Sequence, residues 1–418
     1  MNIYFSGIGG VGIGPLAEIA ADMGHTVTGS DLTRGLVTEE LQTRGIAVTI
    51  GQDGEYLRTY HRENSLDWFV YTAALPENHP ELVLARELGI RTAKRDELLA
   101  YLIQDKQLTL IAISGTHGKT TTTGMTIWTL QQLGVPVSYS VGSTLSFGPS
   151  GRYVEGSRFF IYECDEFDKN FLNFYPALSL ITSVDHDHID TYPTESSYKT
   201  AFQQFLHQSA HSILWQRDAT YLVLEPKQNE WILRDEEVLS IALPGAHNRR
   251  NATLVVKAAE FLAIGTREEA VAALESFPGT DRRFEKLATN LYSDYGHHPE
   301  EIAATLQLAS ELSANIVLVY QPHQNRRQHE IKEAYTTQFE KARRIYWLPT
   351  YLSREDPTLP ILTPEKLTEH VSNRAQITYA DCNDALWEAI EAEREHGALV
   401  LCMGAGSIDQ WVRQKLTV

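Results

Sequence analysis

The apolar run Leu108–Ser114 reads as a strand, and it feeds directly into Gly115-Thr-His-Gly-Lys-Thr-Thr121. No other feature constrains this chain as strongly. A strand that turns through glycines into a lysine and threonines at a helix start belongs to an α/β layer. The turn presents free amides, and the helix its positive end, to an anion. Lys119 is placed to bridge the β- and γ-phosphates of a nucleotide, and Thr120 to offer a hydroxyl to Mg²⁺. The strict GxxxxGK[ST] pattern asks for glycine where Ile113 stands, so the loop is a shortened form, Gly115-x-x-Gly118-Lys119-Thr120. The helix is predicted to run from about Lys119 to Leu133, where Gly134 ends it.

The rest of the chain repeats the alternation of apolar runs with helical periods, which favours α/β architecture. Asn2–Phe5 reads as a strand, followed by Gly7-Ile-Gly-Gly-Val-Gly12. The helix after it carries Ile13, Leu16, Ala17, Ala20 and Met23 on one stripe and stops at Gly24. A second strand, His25–Thr28, leads to Asp31. The polar stretch Asp105–Gln107 closes this unit. Further strands are expected at Phe159–Glu163, Leu178–Thr182 and Ser212–Trp215, then a helix over Ala252–Leu262. The turn-rich Phe277-Pro-Gly-Thr-Asp281 marks a second boundary. Beyond it, a strand is expected at Ile316–Tyr320 and a helix over Glu330–Arg343, with Ile331, Ala334, Tyr335, Phe339 and Ala342 in register. A strand at Ala398–Met403 precedes Gly404-Ala-Gly406 and a terminal helix. Three α/β domains over residues 1–107, 108–280 and 281–418 are the economical reading of 418 residues.

A formal charge of −18 argues against a nucleic-acid partner, which would ask for a basic face. It leaves phosphate ligands open, because local amides and lysines hold those. The three cysteines, Cys164, Cys382 and Cys402, lie far apart with no CxxC, so neither a disulfide frame nor structural zinc is expected. No apolar run is long enough for a membrane-spanning helix, and the N-terminus enters a strand with no basic leader. Cytoplasmic localisation is the resulting expectation.

Other clusters carry chemistry at expected strand ends. Glu163 closes a strand and is followed by Cys164-Asp165-Glu166-Phe-Asp168, where an α/β sheet places catalytic and metal groups. Mg²⁺ takes one or two protein oxygens, which suits one carboxylate together with Thr120; a solvated acidic loop is the alternative. Val184-Asp-His-Asp-His-Ile-Asp190 suggests a second metal site or a hydrogen-bonded surface loop. Gly7-x-Gly9-x-x-Gly12, with Asp31 about 19 residues on, fits the dinucleotide fingerprint. Its glycines admit a pyrophosphate without distinguishing NAD from a UDP-sugar, and on spacing alone NAD is favoured. In the last third, Arg282-Arg-Phe-Glu285, Asp294-Tyr-Gly-His-His-Pro299 and Gln321-Pro-His-Gln-Asn-Arg-Arg327 gather cations and imidazoles suited to carboxylates and phosphates.

Taken in order, these motifs, with Asp187-His-Ile-Asp-Thr-Tyr192 and His247-Asn-x-x-Asn251, make the chain resemble the Mur ligases of peptidoglycan synthesis along almost its whole length. The resemblance implies an N-terminal Rossmann-like domain for a UDP-sugar, a central P-loop ATPase domain and a C-terminal Rossmann-like domain that closes over both. It favours a uridine diphosphate over NAD at Gly7, Gly9, Gly10, Val11 and Gly12, with Ser30, Asp31 and Thr72 beside them. ATP and Mg²⁺ are implied as cofactors. Gly115, Thr116, His117, Gly118, Lys119, Thr120 and Thr121 would cradle ATP, and Thr120, Glu163 and His188 would hold the metal. His247, Asn248 and Asn251 would approach the adenine, Arg283 the γ-phosphate and Asp294 the ribose. His297, His298, His323 and Arg327 would line the muramoyl and amino-acid site, and Lys119, Glu163, His188 and Arg283 would carry catalysis.

Within the family the chain is most similar to the branch joining L-alanine to UDP-N-acetylmuramate. The branch that recycles a whole tripeptide is the alternative. The reaction implied converts a carboxylate to an acyl phosphate, which an amine then attacks. Three departures stand out: Cys164 where alanine is usual, Gln324 where an arginine is usual, and a shorter central domain. Gln324 bears on amino-acid choice, because a guanidinium there would clamp a carboxylate. A non-catalytic nucleotide-binding protein and a nicotinamide-dependent oxidoreductase are readings from other classes, and the latter leaves the phosphate loop without a role. Monomer and homodimer are both open.

Overall fold

The computed structural model describes residues 1–10, 12–72, 75–188, 191–225, 227–353 and 355–417. The chain is α/β and carries three sheet domains. In the first, strands β1 (Asn2–Ser6), β2 (Thr26–Asp31), β3 (Ala47–Ile50), β4 (Trp68–Tyr71) and β5 (Arg91–Lys94) pair in parallel in the order β3-β2-β1-β4-β5. The second contains β6 (Thr109–Ser114), β7 (Val137–Ser140), β8 (Gly151–Arg152), β9 (Phe159–Glu163), β10 (Leu178–Ile181), β11 (Ser212–Trp215) and β12 (Glu230–Leu233). Their order is β12-β11-β10-β6-β9-β7-β8, with only β8 antiparallel. The third contains β13 (Glu285–Ala288), β14 (Leu291–Asp294), β15 (Ile316–Tyr320), β16 (Arg344–Trp347), β17 (Ile377–Tyr379) and β18 (Leu399–Met403). They run β13-β14-β18-β15-β16-β17, with β13 antiparallel at the edge.

Parallel strands must be covered on both faces, so they read as unbroken apolar runs. β15 and β18 are buried at every residue and form the middle of the third sheet. β6 is likewise buried from Leu110 onward and lies between β9 and β10.

The chain divides into two compact units, Met1–Val238 with Ala252–Phe277, and Leu239–Asn251 with Pro278–Val418. The first unit holds the first two sheets on a continuous core. Leu16, Ile19, Leu98 and Leu102 from helices of the first sheet join Phe160, Tyr162 and Phe171 of the second in one cluster. Helix Gly14–Asp22 comes so near β8 that a Cβ on Gly151 would lie 2.7 Å from that of Pro15, so glycine is needed there.

The second unit is built around an aromatic knot. Trp347 packs at 5.0 Å from Tyr320, 5.6 Å from Tyr335 and 5.2 Å from Phe339, ring centre to ring centre. Here the expected helix over Glu330–Arg343 is not formed. The α-helix is Asn325–Ile331, a 3₁₀ turn covers Lys332–Tyr335, and three-residue turns such as Gln338 N to Tyr335 O and Ala342 N to Phe339 O follow. The helical spacing of Tyr335, Phe339 and Ala342 reflects their burial against β15 and β16, which successive tight turns satisfy as well as a helix would. The helix expected from Ala252 starts earlier, at Ala246. Its polar first turn shows no apolar period and is fixed instead by Arg249, which pairs with Glu311 at 2.8 Å, while Glu311 also accepts the Gly245 amide at 3.0 Å.

Phe339 is fully buried. Phe339→Ala is expected to lower unfolding stability by about 3–5 kcal/mol in urea melts. A loss below about 1 kcal/mol would show that the turn-built segment does not seal this core.

Candidate functional site

In a parallel sheet the loops that carry chemistry leave the C-terminal ends of the strands. β6 lies between β9 and β10, so its loop is flanked by Glu163 at the end of β9 and by residues 182–188 after β10. The glycines are required by geometry. Gly115 has φ +134°, and a Cβ there would stand 2.4 Å from Thr182 Oγ1 and 2.6 Å from Ser183 O. Gly118, at φ +87°, caps helix Lys119–Gln132. The loop is braced from the side of β10: the Thr116 amide donates to Ser183 O at 2.8 Å and the His117 amide to Ser183 Oγ at 3.0 Å. Thr116 Oγ1 donates to Asp185 O at 2.8 Å. Thr121 lies in the first turn of the helix, whose amides have no partner within it.

Two polar groupings occupy this edge. Thr120 Oγ1 donates to Glu163 Oε1 at 2.8 Å, while Glu163 Oε2 accepts the Gly142 amide at 2.7 Å. These converging hard oxygens, next to the Gly115–Thr121 loop, fit the ligands Mg²⁺ prefers. The other grouping centres on Glu166, a fully buried carboxylate. Lys119 Nζ donates to it at 2.8 Å, and to Gly115 O at 2.6 Å and Thr116 O at 3.3 Å. His188 Nε2 lies 3.5 Å from the other Glu166 oxygen. Burial pushes the Glu166 carboxyl up, but the Lys119 ammonium and His188 outweigh it and bring it down to about 2. Burial alone would lower Lys119 and His188; their acidic neighbours, Glu166 foremost, hold both above their ordinary values. Asp165, Glu166 and His188 bring one ligand atom each within 4.8 Å of one another, the one such group among the described residues. Thus Thr120 stands with Glu163, whereas His188 stands with Glu166. Sequence reasoning named Glu166 only as part of a motif, because nothing in spacing tells which carboxylate of Glu163-Cys-Asp-Glu166 turns toward the lysine. Cys164 is buried, and burial raises its thiol well above the usual range, so the thiolate is disfavoured.

At the first sheet, β1 lies between β2 and β4, and the glycine loop leaves its end. The Gly7 and Ile8 amides both donate to Ser30 O at 2.9 Å, and the Gly9 amide donates to Asp31 Oδ2 at 2.8 Å. A Cβ on Gly9 would meet Thr38 at 2.7 Å, and one on Gly10 would lie 3.2 Å from Gly7 O. Thr72 comes within 3.8 Å of the corresponding point on Gly7. Ser30 is anchored below by Glu81, a buried carboxylate that also accepts the Tyr4 and Ser6 hydroxyls at 2.6 Å. The expected residues therefore meet here, except Val11, which lies outside the described residues.

The remaining expected residues belong to the second unit. Asp294 is buried and accepts the Phe284 amide at 2.8 Å and the Gly296 amide at 2.7 Å, so its carboxylate ties together the arginine turn and the His297 loop. Burial raises its acid to about 6 despite Arg283 and these amides. Arg283 sits 3.8 Å from Glu301 and 5.2 Å from the centre of the Tyr295 ring. His297, His323 and Arg327 are brought together. The His297 and His323 rings are 5.7 Å apart, and Arg327 Nη1 is bonded to His297 Nε2. A guanidinium cannot accept, so Nε2 is unprotonated and Nδ1–H donates to Tyr295 O at 3.1 Å. Tyr351 stacks on His323 at 5.8 Å and 9°, a partner no motif announced. His298 caps helix Pro299–Leu312, with its amide on Glu301 at 3.2 Å. Gln324, at φ +61°, donates its amide to Tyr351 O at 2.9 Å. His247 and Asn248 open the helix Ala246–Leu262, where Asn248 Nδ2 donates to Pro244 O at 3.0 Å and Asn251 is buried.

Burial pushes His247 and His297 down to about 4 from an ordinary 6.5. Both are therefore neutral when folded, and the unfolded chain takes up their protons first. Their contribution is complete above about pH 6.5 and is lost as pH falls from 6.5 toward 4, at most about 1.4 kcal/mol per pH unit for each. The urea midpoint is expected to fall across this window, and His297→Gln to fall less steeply. Equal slopes would show that His297 is not held neutral.

Three family models match in order: "Mur ligase family, catalytic domain" over residues 2–107, "Mur ligase middle domain" over 113–234 and "Mur ligase, glutamate ligase domain" over 282–406. The UDP-N-acetylmuramate–L-alanine ligase of Dinoroseobacter shibae is 31% identical across 98% of this chain and 95% of its own. That of Solibacter usitatus is 30% identical across 98% and 93%. The crystal structure of the UDP-N-acetylmuramate–alanine ligase of Thermotoga maritima has the same fold, with a TM-score of 0.76 at 23% identity, covering 100% of this chain and 98% of that one. A murein peptide ligase from Psychrobacter arcticus gives 0.64 at 21% identity with the same coverage. With its three domain models in sequence and relatives of 30–31% identity spanning nearly its full length, this chain belongs to the Mur ligase family.

Proposed function

We propose that this chain is an ATP-dependent ligase that joins L-alanine to the lactyl carboxylate of UDP-N-acetylmuramate in peptidoglycan precursor synthesis. The observation that carries the reading is the edge shared by β9, β6 and β10, where Lys119, Thr120, Glu163 and His188 gather around one phosphate loop. A nicotinamide enzyme has no use for that loop. A merely structural protein has no use for a fully buried carboxylate spent on its lysine. The curated relatives across 98% of the chain support L-alanine as the amino acid. Gln324, where the family places arginine, keeps the tripeptide branch as the second reading.

Residues 1–107 would bind the UDP-sugar, 108–280 ATP and 281–418 the amino acid, with His247, Asn248, Asn251 and Asp294 toward the nucleoside. Lys119 and Arg283 would neutralise the phosphoryl group as it moves from ATP to the substrate carboxylate, which becomes an acyl phosphate while ADP leaves. Thr120 and Glu163 would hold Mg²⁺, joined by His188 once its ring is neutral and turned from Glu166, and the ion would supply charge neutralisation to the phosphoryl group. His297, His298, His323 and Arg327 would then orient the carboxylate and the amine, whose attack expels phosphate. Excluding water protects the acyl phosphate and strengthens each of these contacts. Among the described residues no helix is long and apolar enough to cross a membrane, in keeping with work in the cytoplasm on soluble substrates.

Purified protein is expected to release phosphate only when ATP, Mg²⁺, UDP-N-acetylmuramate and an amino acid are all present. Running L-alanine, glycine, L-serine and the tripeptide in parallel separates the two branches; equal release without the UDP-sugar would end the ligase reading. Lys119→Ala is expected to abolish turnover and leave UDP-sugar binding intact, because the glycine cradle is built on a different sheet. Loss of that binding in calorimetry would contradict the assignment of the two sheets.

A further inference from the structure

Arg95 opens the helix Arg95–Asp105 after β5, and its guanidinium is divided between two neighbours. One edge is held. Nε and Nη2 donate to the Asp96 carboxylate at 3.0–3.2 Å, and Nη2 reaches the Tyr162 hydroxyl at 3.4 Å. Asp96 is buried and also accepts the Tyr162 hydroxyl, so this edge cannot move without breaking a shared network. The other edge is turned to the glycine loop. Nη1 lies 2.7 Å from the point a Cβ on Gly12 would occupy and makes no hydrogen bond among the described residues.

Gly12 itself has an unspent amide. The neighbouring loop amides are used within the protein: Gly7 and Ile8 on Ser30 O, Gly9 on Asp31 and Gly10 on Gly7 O. The Gly12 amide has no such partner among the described residues. The Gly12 amide, two residues before helix Gly14–Asp22, and the Arg95 Nη1 donor that approaches the same residue are thus both unspent among the described residues. Nη1 can come this close to the loop only because residue 12 has no side chain.

We infer that Arg95 is a binding residue for the diphosphate of the UDP-sugar, taking a phosphate oxygen through Nη1 together with the Gly12 amide. This rests on the proposed assignment of the glycine loop to that ligand. A purely structural role, tying the first sheet to the second, needs only the held edge and leaves Nη1 and the bare Gly12 unexplained. Arginine suits both tasks because its rigid fork can hold Asp96 with one edge and donate with the other, which a lysine cannot. Tyr162 directly precedes Glu163, so the group that receives the diphosphate is hydrogen-bonded to the strand end that carries a metal-site carboxylate. Substrate seated on the first sheet thereby steadies the catalytic edge of the second.

The test is calorimetry on the full chain with UDP, uridine and ATP. Arg95→Gln retains a donor for Asp96 and removes the charge at Gly12. UDP affinity is expected to fall about ten- to hundredfold, the worth of a hydrogen bond to a charged group. Uridine and ATP affinities should stay within about twofold, and Arg95→Lys should fall between wild type and Arg95→Gln for UDP. Unchanged UDP binding, or parallel losses for UDP and uridine, overturns the inference and leaves the ligase reading standing. Wild-type protein that binds neither UDP nor UDP-N-acetylmuramate overturns both.

Discussion

The edge of the second sheet that carries the Gly115–Thr121 loop depends on one buried charge. Glu166 has no exposed surface, and an isolated carboxylate there would be costly. It is tolerated because Lys119, His188 and the Tyr198 hydroxyl, at 3.4 Å, all point at it. The arrangement works in both directions. Lys119 stays charged and fixed in a loop that would otherwise expel a buried ammonium, and His188 is kept beside it although it comes from a different strand end. Breaking such a pair from one side leaves a lone buried charge, which is why these groups act as a unit.

Around that centre, one constraint is used three times. Crossover connections between parallel strands send every chemically active loop to the C-terminal edge of its sheet. On the first sheet this collects the glycine loop after β1, Asp31 on β2 and Thr72 after β4. On the second it collects the phosphate loop, Glu163 and the His188 segment. On the third, Asp294 ends β14, Gln321 follows β15, Gly404 follows β18 and Tyr351 follows β16. There Gln321 Oε1 accepts the Ile408 amide at 3.0 Å and its Nε2 donates to Ser407 at 3.2 Å, so one side chain fixes the glycine loop next to His323.

The strongest sequence signals were those with a local physical cause. β9, β11 and β15 begin and end where apolar runs and their flanking residues place them. The phosphate loop was legible because positive φ and close approach leave glycine as the only acceptable residue at positions such as Gly115. The segment after Ile331 was misread because burial of Tyr335, Phe339 and Ala342 imitates a helical period while the chain makes tight turns. The polar start of helix Ala246–Leu262 was missed because its support comes from Glu311, on another helix.

The sequence by itself determined the class of fold, the order of the three sheets and the glycine-rich loops at the strand ends, since each follows from residue size, polarity and backbone freedom over a few positions. It also carried the family resemblance, because that resides in motif order. Tertiary structure alone decided the pairings: Glu166 rather than Glu163 on Lys119, Thr120 on Glu163, Arg327 on His297, Tyr351 on His323 and Arg95 beside Gly12. Those partners come from different strand ends, and which carboxylate or imidazole turns inward is settled by packing among them.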